Sequence, residues 1–223
     1  MTTKSLMLSL DQQQSIPLSS VSGTQGYLGM DIRPLASAGI CSFDPGFANT
    51  AGCTSAISWI DTENSVLLHR GYPVDQLARQ CDFLEVAYIM LNGDAPDEAS
   101  YQTFRETITR HTLVHEQIAR MCSGFRRDSH PMALMCALVG ALAAFYHDVL
   151  DVENPQHRAL AATRLLSKMP TIAAMSYKYT IEQPAAYPRN DLSYAGNFLQ
   201  MLFAIPAEKY VLNPVIEQAM NQI

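Results

Sequence analysis

The sequence predicts a mainly α-helical protein that begins with a small β-rich unit. From Val74 onward, apolar residues recur at helical spacing between polar capping residues and prolines. Before that point, short β-rich stretches alternate with turn sequences such as Ser22-Gly23. We therefore expect a β-rich unit over residues 1–72 and a helical part, incomplete at its C-terminal end, over residues 73–223.

Three stretches of the first unit have the composition of strands: Ser5–Leu10, Ile40–Phe43 and Ala56–Asp61. Ser55–Ile60 and Ser65–His69 flank the polar residues 61–64, a pattern that is typical of a β-hairpin.

The helices of the second part are predicted from apolar spacing and from their end signals. They are expected over Asp75–Gln80, Phe83–Leu91, Asp97 to about Cys122, Pro131 to about Leu150, Pro155–Lys168, Thr171–Tyr179, Ala195–Phe203 and from Pro214 to the end. Asn92-Gly93 is typical of a left-handed C-cap. Pro170 is expected to end the helix that begins at Pro155, because proline has no amide N–H.

The last predicted helix ends on its apolar face, at Ile223, without a glycine cap or a polar tail. Natural chain ends usually fray into polar residues. This pattern predicts that the chain is the front part of a longer protein.

Composition excludes several classes of function. The formal net charge of −6 argues against nucleic acid as the main partner, and the longest apolar run, Met132–Phe145, is too short to span a bilayer. The five cysteines are scattered and include no C-x-x-C pair, which indicates reduced thiols and no zinc site. No long apolar stretch follows Lys4, so we expect no signal peptide and a cytoplasmic location. Only 16% of residues are charged, which favours burial of part of the surface against more protein.

Few residue patterns suggest chemistry. His111 and His115 would share one helical face, but they lack the H-E-x-x-H order and a third ligand, so we expect no metal site. His147-Asp148 could be a base and its orienting carboxylate, although adjacent helical residues point about 100° apart. More informative are the basic residues near Tyr146, because Arg164 and Lys168 are four apart on one face. Cations beside an aromatic ring suit a nucleotide's phosphates and base, whereas pattern alone favours a solvated helix face.

Longer strings carry a family resemblance. They are residues 43–47 (FDPGF), 68–78 (LHRGYPVDQLA), 125–132 (FRRDSHPM), 166–171 (LSKMPT) and 187–198 (YPRNDLSYAGNF). From about Asp31 to the end, the chain resembles the N-terminal half of citrate synthase, in the hexameric, NADH-sensitive form of Gram-negative bacteria.

The resemblance implies a citrate synthase-like helical fold in a homo-oligomer, a dimer or a hexamer when full length. It also implies condensation of acetyl-CoA with oxaloacetate to citrate and CoA, the entry step of the tricarboxylic acid cycle, without a cofactor. In that family the catalytic histidines, aspartate and arginines lie beyond the point where this chain stops, so we name no catalytic residue here.

The resemblance further implies an allosteric NADH site. The positions that match it are Arg110, His111, Thr112, Tyr146, Arg164, Lys168 and Asn190. Some relatives have a cysteine where Ala207 stands here, which puts thiol-dependent behaviour in doubt.

Two alternatives remain open. One is 2-methylcitrate synthase, a relative that uses propionyl-CoA, although the β-rich first unit argues against it. The other is a non-catalytic assembly or nucleotide-binding fragment.

Overall fold

The structure, a computed structural model, describes residues 5–10 and 15–223. Residues 1–4, where a signal peptide would begin, lie outside this range. The chain divides into two compact units, one ending at Val74 and the other spanning Asp75–Ile223. Six strands and a 3-10 helix form the regular structure described in the first unit, and helices form that of the second, so the predicted mainly α fold is confirmed.

Two three-stranded antiparallel sheets, β1-β2-β3 and β4-β5-β6, lie in the first unit. Their strands are β1 (Ser5–Ser9), β2 (Ser15–Val21), β3 (Gly29–Asp31), β4 (Ser58–Asp61), β5 (Val66–His69) and β6 (Tyr72–Pro73). The predicted hairpin is confirmed, because Ser58 pairs with His69 and Asp61 with Val66. The strand expected at Ile40–Phe43 was wrong. That stretch is irregular and follows a 3-10 helix, Arg33–Ala38, which Gly39 ends in the left-handed conformation.

Eight α-helices occur in the described residues. They are α1 (Val74–Gln80), α2 (Phe83–Asn92), α3 (Glu98–Arg110), α4 (Glu116–Met121), α5 (Pro131–Phe145), α6 (Pro155–Thr180), α7 (Tyr194–Phe203) and α8 (Pro214–Gln222). Gly93 ends α2 with φ 97°, as the cap signal predicted. His130, Asn154 and Asn213 each accept a backbone N–H at the start of α5, α6 and α8.

Helix α6 runs unbroken through Pro170, so the prediction of two helices there was wrong. Proline cannot donate to the carbonyl four residues earlier, which belongs to Leu166. The Tyr194 hydroxyl of α7 donates to that carbonyl instead, at 2.9 Å. A side chain 28 residues along the chain therefore satisfies the acceptor that proline leaves open.

The helix expected from Asp97 to Cys122 is broken between α3 and α4, at residues 111–115. His111 is the C-cap of α3 and His115 the N-cap of α4, so the two histidines do not share a helical face as predicted. Carbonyls of the break accept hydrogen bonds from α6, where Thr171 donates through Oγ1 to Thr112 O at 2.8 Å. These bonds replace the intrahelical ones and stabilise the break.

Helix α5 ends at Phe145 and not near Leu150, because Tyr146 leaves helical geometry with φ −129° and ψ 40°. A 3-10 turn, His147–Val149, follows it. The core of the second unit lies between α4, α5 and α6 and contains Ile118, Cys122, Leu138, Leu142, Ile172 and Met175. Among the described residues, no helix has both the length and the apolar character needed to cross a bilayer.

Candidate functional site

The junction of α5 and α6 gathers aromatic and charged side chains, which we call the Tyr146 cluster (Tyr146, Asp148, Arg164 and Lys168). The guanidinium carbon of Arg164 lies 4.5 Å from the centre of the Tyr146 ring. The ammonium nitrogen of Lys168 lies 5.5 Å from the same centre. Both cations are within the distance at which a ring attracts a positive charge. The ring is placed there because Tyr146 ends α5, while one face of α6 carries the two cations.

Lys168 acts mainly as a structural clamp. Its ammonium donates to His111 O at 2.7 Å and to Leu113 O at 2.6 Å, and the residue is only 4% exposed. Two of its three N–H donors therefore bond to carbonyls in the segment between α3 and α4. Burial, and to a lesser degree the charge of Arg164, lowers the pKa of Lys168 below its ordinary value.

A second buried lysine on α6 acts in the same way. Lys178 is fully buried and donates to Ala204 O, at the C-terminal end of α7, at 2.6 Å and to Gln183 Oε1 at 2.7 Å. Burial lowers its pKa too. One helix therefore places two ammonium groups at the negative ends of two others.

Arg164 is the member of the cluster with donors to spare. Its side chain is 19% exposed, yet its one hydrogen bond within the described residues is a 3.3 Å contact to Asp148 Oδ1. By contrast, Arg126 binds Asp128 through two bonds of 2.9 and 2.6 Å. A guanidinium has five N–H donors, so Arg164 can bind a further anion.

Asp148 is the member that the nucleotide-site prediction missed. It lies in the 3-10 turn after Tyr146, and its side chain is 60% exposed. The hydrogen bond from Arg164 lowers the pKa of this carboxyl group below its ordinary value. Its position two residues after Tyr146 was a usable signal, but the sequence pattern suggested Asp148 only as a partner of His147.

The other predicted site residues divide into two groups. His111 and Thr112 contact α6 through their backbone carbonyls, next to the cluster. Arg110 instead pairs with Glu106 on its own helix, at 3.1 Å. No hydrogen bond or ion pair connects Asn190 to the cluster within the described part of the chain.

The histidines offer no acid–base pair. His115 and His130 accept backbone N–H groups at helix starts, and His111 donates through Nδ1 to Thr107 O at 2.6 Å. None of the six histidines pairs with a carboxylate in the described residues. Within residues 5–10 and 15–223, no three His, Cys, Asp or Glu side chains meet as metal ligands would.

A groove of about 770 Å³ lies between α2, α3 and the start of α6. The hydroxyl groups of its threonines at positions 103, 107 and 163 donate to carbonyls of their own helices. Its one charged lining residue, Arg158, donates to Val152 O and Glu153 O. The groove is therefore lined mostly by apolar atoms, with Tyr88, Asn92 and Ser100 as further polar residues.

Comparison with known proteins gives a family. Residues 46–223 match the sequence model described as "Citrate synthase, C-terminal domain". Among solved structures, the chain is similar to citrate synthase from Pyrobaculum aerophilum, with a TM-score of 0.71 and 26% identity over 80% of this chain and 45% of that one.

Two further structures share the fold. Citrate synthase from Thermotoga maritima has a TM-score of 0.66 and 24% identity over 81% of this chain and 45% of that one. The ternary complex of citrate synthase from Thermoplasma acidophilum with carboxymethyl coenzyme A and oxaloacetate has a TM-score of 0.71 and 24% identity, over 81% and 46%. The chain thus spans less than half the length of these proteins.

Proposed function

This chain belongs to the citrate synthase family, and we propose that the complete protein condenses acetyl-CoA with oxaloacetate to give citrate and CoA. The observation that supports this reaction is the family match over residues 46–223. The Thermoplasma protein binds a coenzyme A analogue and oxaloacetate, but its 24% identity supports only the shared fold.

We propose that the catalytic residues are not among these 223 residues. The chemistry needs a carboxylate to remove a methyl proton and histidines to polarise the ketone. In this chain His69, His111, His115 and His130 cap helices or bond to backbone and hydroxyl groups, and Nδ1 of His157 is buried without a hydrogen-bond partner. No histidine hydrogen-bonds to a carboxylate in the described residues.

The assay is release of the CoA thiol, followed with a thiol reagent. The complete protein should turn over acetyl-CoA with oxaloacetate, and this chain alone should not. Preference for propionyl-CoA in the same assay would favour 2-methylcitrate synthase. Sustained turnover by the 223-residue chain would contradict the assignment of the catalytic groups to residues outside it.

We further propose that the Tyr146 cluster is part of a regulatory NADH site, lined also by Arg110, His111, Thr112 and Asn190. The spare donors of Arg164 and the face of Tyr146 support the binding of a phosphate beside an aromatic base. Because Lys168 is clamped by carbonyls, it contributes charge near the ligand, and Arg164 makes the direct phosphate contact.

The test is NADH binding to the complete protein, measured by fluorescence titration. Arg164→Ala should raise the Kd by about 10- to 100-fold, which corresponds to the loss of charge-assisted hydrogen bonds. Arg120→Ala, which removes the same charge from an exposed arginine on α4, is the matched control and should change nothing. An unchanged Kd in Arg164→Ala would refute the site.

We also propose that the complete protein is a cytoplasmic homo-oligomer, a dimer or a hexamer. The small charged fraction and the exposed apolar side chains of Val215 and Ile216 on α8 support burial of surface against more protein. Sedimentation of the complete protein at several concentrations would measure its assembly, and a monomer at micromolar concentration would contradict the proposal.

A further inference from the structure

We propose that Asp148 is an internal counter-ion that an anionic ligand must displace from Arg164, so that Asp148 sets the affinity of the Tyr146 cluster for anions. This inference rests on the regulatory site proposed above. It assigns to Asp148 a role that opposes binding, whereas the other members of the cluster support it.

The contact between Arg164 and Asp148 is weak. Arg164 and Asp148 are joined by one hydrogen bond of 3.3 Å. The chain forms much closer pairs elsewhere, as between Arg126 and Asp128 or between Arg189 and Asp191, whose shortest bonds are 2.6 Å. Arg164 is held by α6 and by the ring of Tyr146, so the carboxylate is the part of the pair that is free to leave.

The Asp148 side chain is 60% exposed, so water can solvate its carboxylate as soon as it separates from Arg164. Because water reaches the carboxylate end of the pair, the contact adds little to stability and is displaced at small cost. A phosphate, which can accept two parallel hydrogen bonds from a guanidinium, is the stronger partner.

Arg164 and Lys168 supply two positive charges beside Tyr146, and Asp148 removes one of them. The adjacent His147 is the other titratable group that lowers the pKa of Asp148. An arriving anion therefore meets a site that is half neutralised and contains a like charge.

The experiment compares two substitutions in the complete protein. Asp148→Asn keeps the shape of the side chain and removes its charge, and Asp128→Asn removes the same charge from an exposed pair outside the cluster. NADH is titrated against wild type and both variants by fluorescence at two ionic strengths. Asp148→Asn should lower the Kd by about three- to tenfold, more at low salt, through loss of the competing pair and of one repulsive charge.

Tighter binding in Asp148→Asn alone supports the inference, since loss of a merely structural contact would weaken binding. Equal or weaker binding overturns it and leaves the nucleotide site standing, provided that wild type binds NADH. The same gain in Asp128→Asn also overturns it, because the cause would then be net charge. If neither wild type nor Asp148→Asn binds NADH, the inference falls together with the proposed site.

Discussion

The bond between Tyr194 and the Leu166 carbonyl can be tested by removing the hydroxyl group alone. Tyr194→Phe keeps the ring, which stacks on Phe83 with centres 4.8 Å apart and planes 7° apart. What is lost is the 2.9 Å bond to a carbonyl that Pro170 cannot bond. Leaving such an acceptor unsatisfied costs about 1–2 kcal/mol. For a domain of this size, that lowers Tm by about 2–8 °C.

The role of Pro170 makes the test sharper. Pro170→Ala restores an N–H that can donate to Leu166 O within α6, so Tyr194→Phe should then cost about 0.5 kcal/mol. The four proteins of this double-mutant cycle are compared by urea unfolding, followed by far-UV circular dichroism. A coupling free energy of about 1 kcal/mol is expected. If Tyr194→Phe costs the same with proline or alanine at position 170, the hydroxyl does not replace the missing amide and our explanation of the unbroken helix is wrong.

Further predictions concern stability. Gly196→Ala would place a Cβ 2.8 Å from side-chain atoms of α8 and of the loop before it, and should cost about 1–3 kcal/mol in urea unfolding. In Gly140→Ala the added Cβ would have no neighbour within 4 Å, and the substitution should stabilise the helix by about 0.5–1 kcal/mol. A protein that is more stable with Gly196→Ala than with Gly140→Ala would contradict this packing. Burial raises the pKa of Tyr194 well above its usual range, so unfolded tyrosine ionises first. Stability should therefore fall as the pH rises above about 10, less steeply in Tyr194→Phe. An equally steep fall of stability in wild type and in Tyr194→Phe would show that Tyr194 is not the group responsible. Lys168→Met leaves two carbonyls without their hydrogen-bond donor and should lower the free energy of unfolding by about 2 kcal/mol. Arg164→Ala should lower it by less than about 1 kcal/mol. Equal losses in unfolding experiments would show that Lys168 is not a clamp.

Local signals in the sequence correctly predicted some of the helix ends. Gly93 caps the end of α2, and the polar residues before Pro155 and Pro214 cap the starts of α6 and α8. Each cap bonds only to neighbouring backbone groups, so a few consecutive residues are enough to predict it. The same reasoning failed at Pro170, because the group that compensates for proline belongs to another helix. It also failed at residues 111–115, whose carbonyls are bonded from α6 more than 50 residues away.

The candidate site was predictable in part for the same reason. The spacing of Arg164 and Lys168 places them on one face, as expected from sequence alone. What each cation does depends on its distant partners, which sequence spacing cannot show. Lys168 is buried against carbonyls and Arg164 is left with one long bond to Asp148. Whether these residues bind NADH stays a prediction.

The two buried lysines of α6 have a consequence for covalent labelling. The chain has four lysines, at positions 4, 168, 178 and 209. In the folded state the ε-amines of Lys168 and Lys178 are enclosed and hydrogen-bonded, whereas Lys209 is exposed. Acylating reagents should therefore modify Lys209 readily and spare the two lysines of α6. Acylation at position 168 or 178, detected by peptide mass, would then report that α6 has separated from its neighbours.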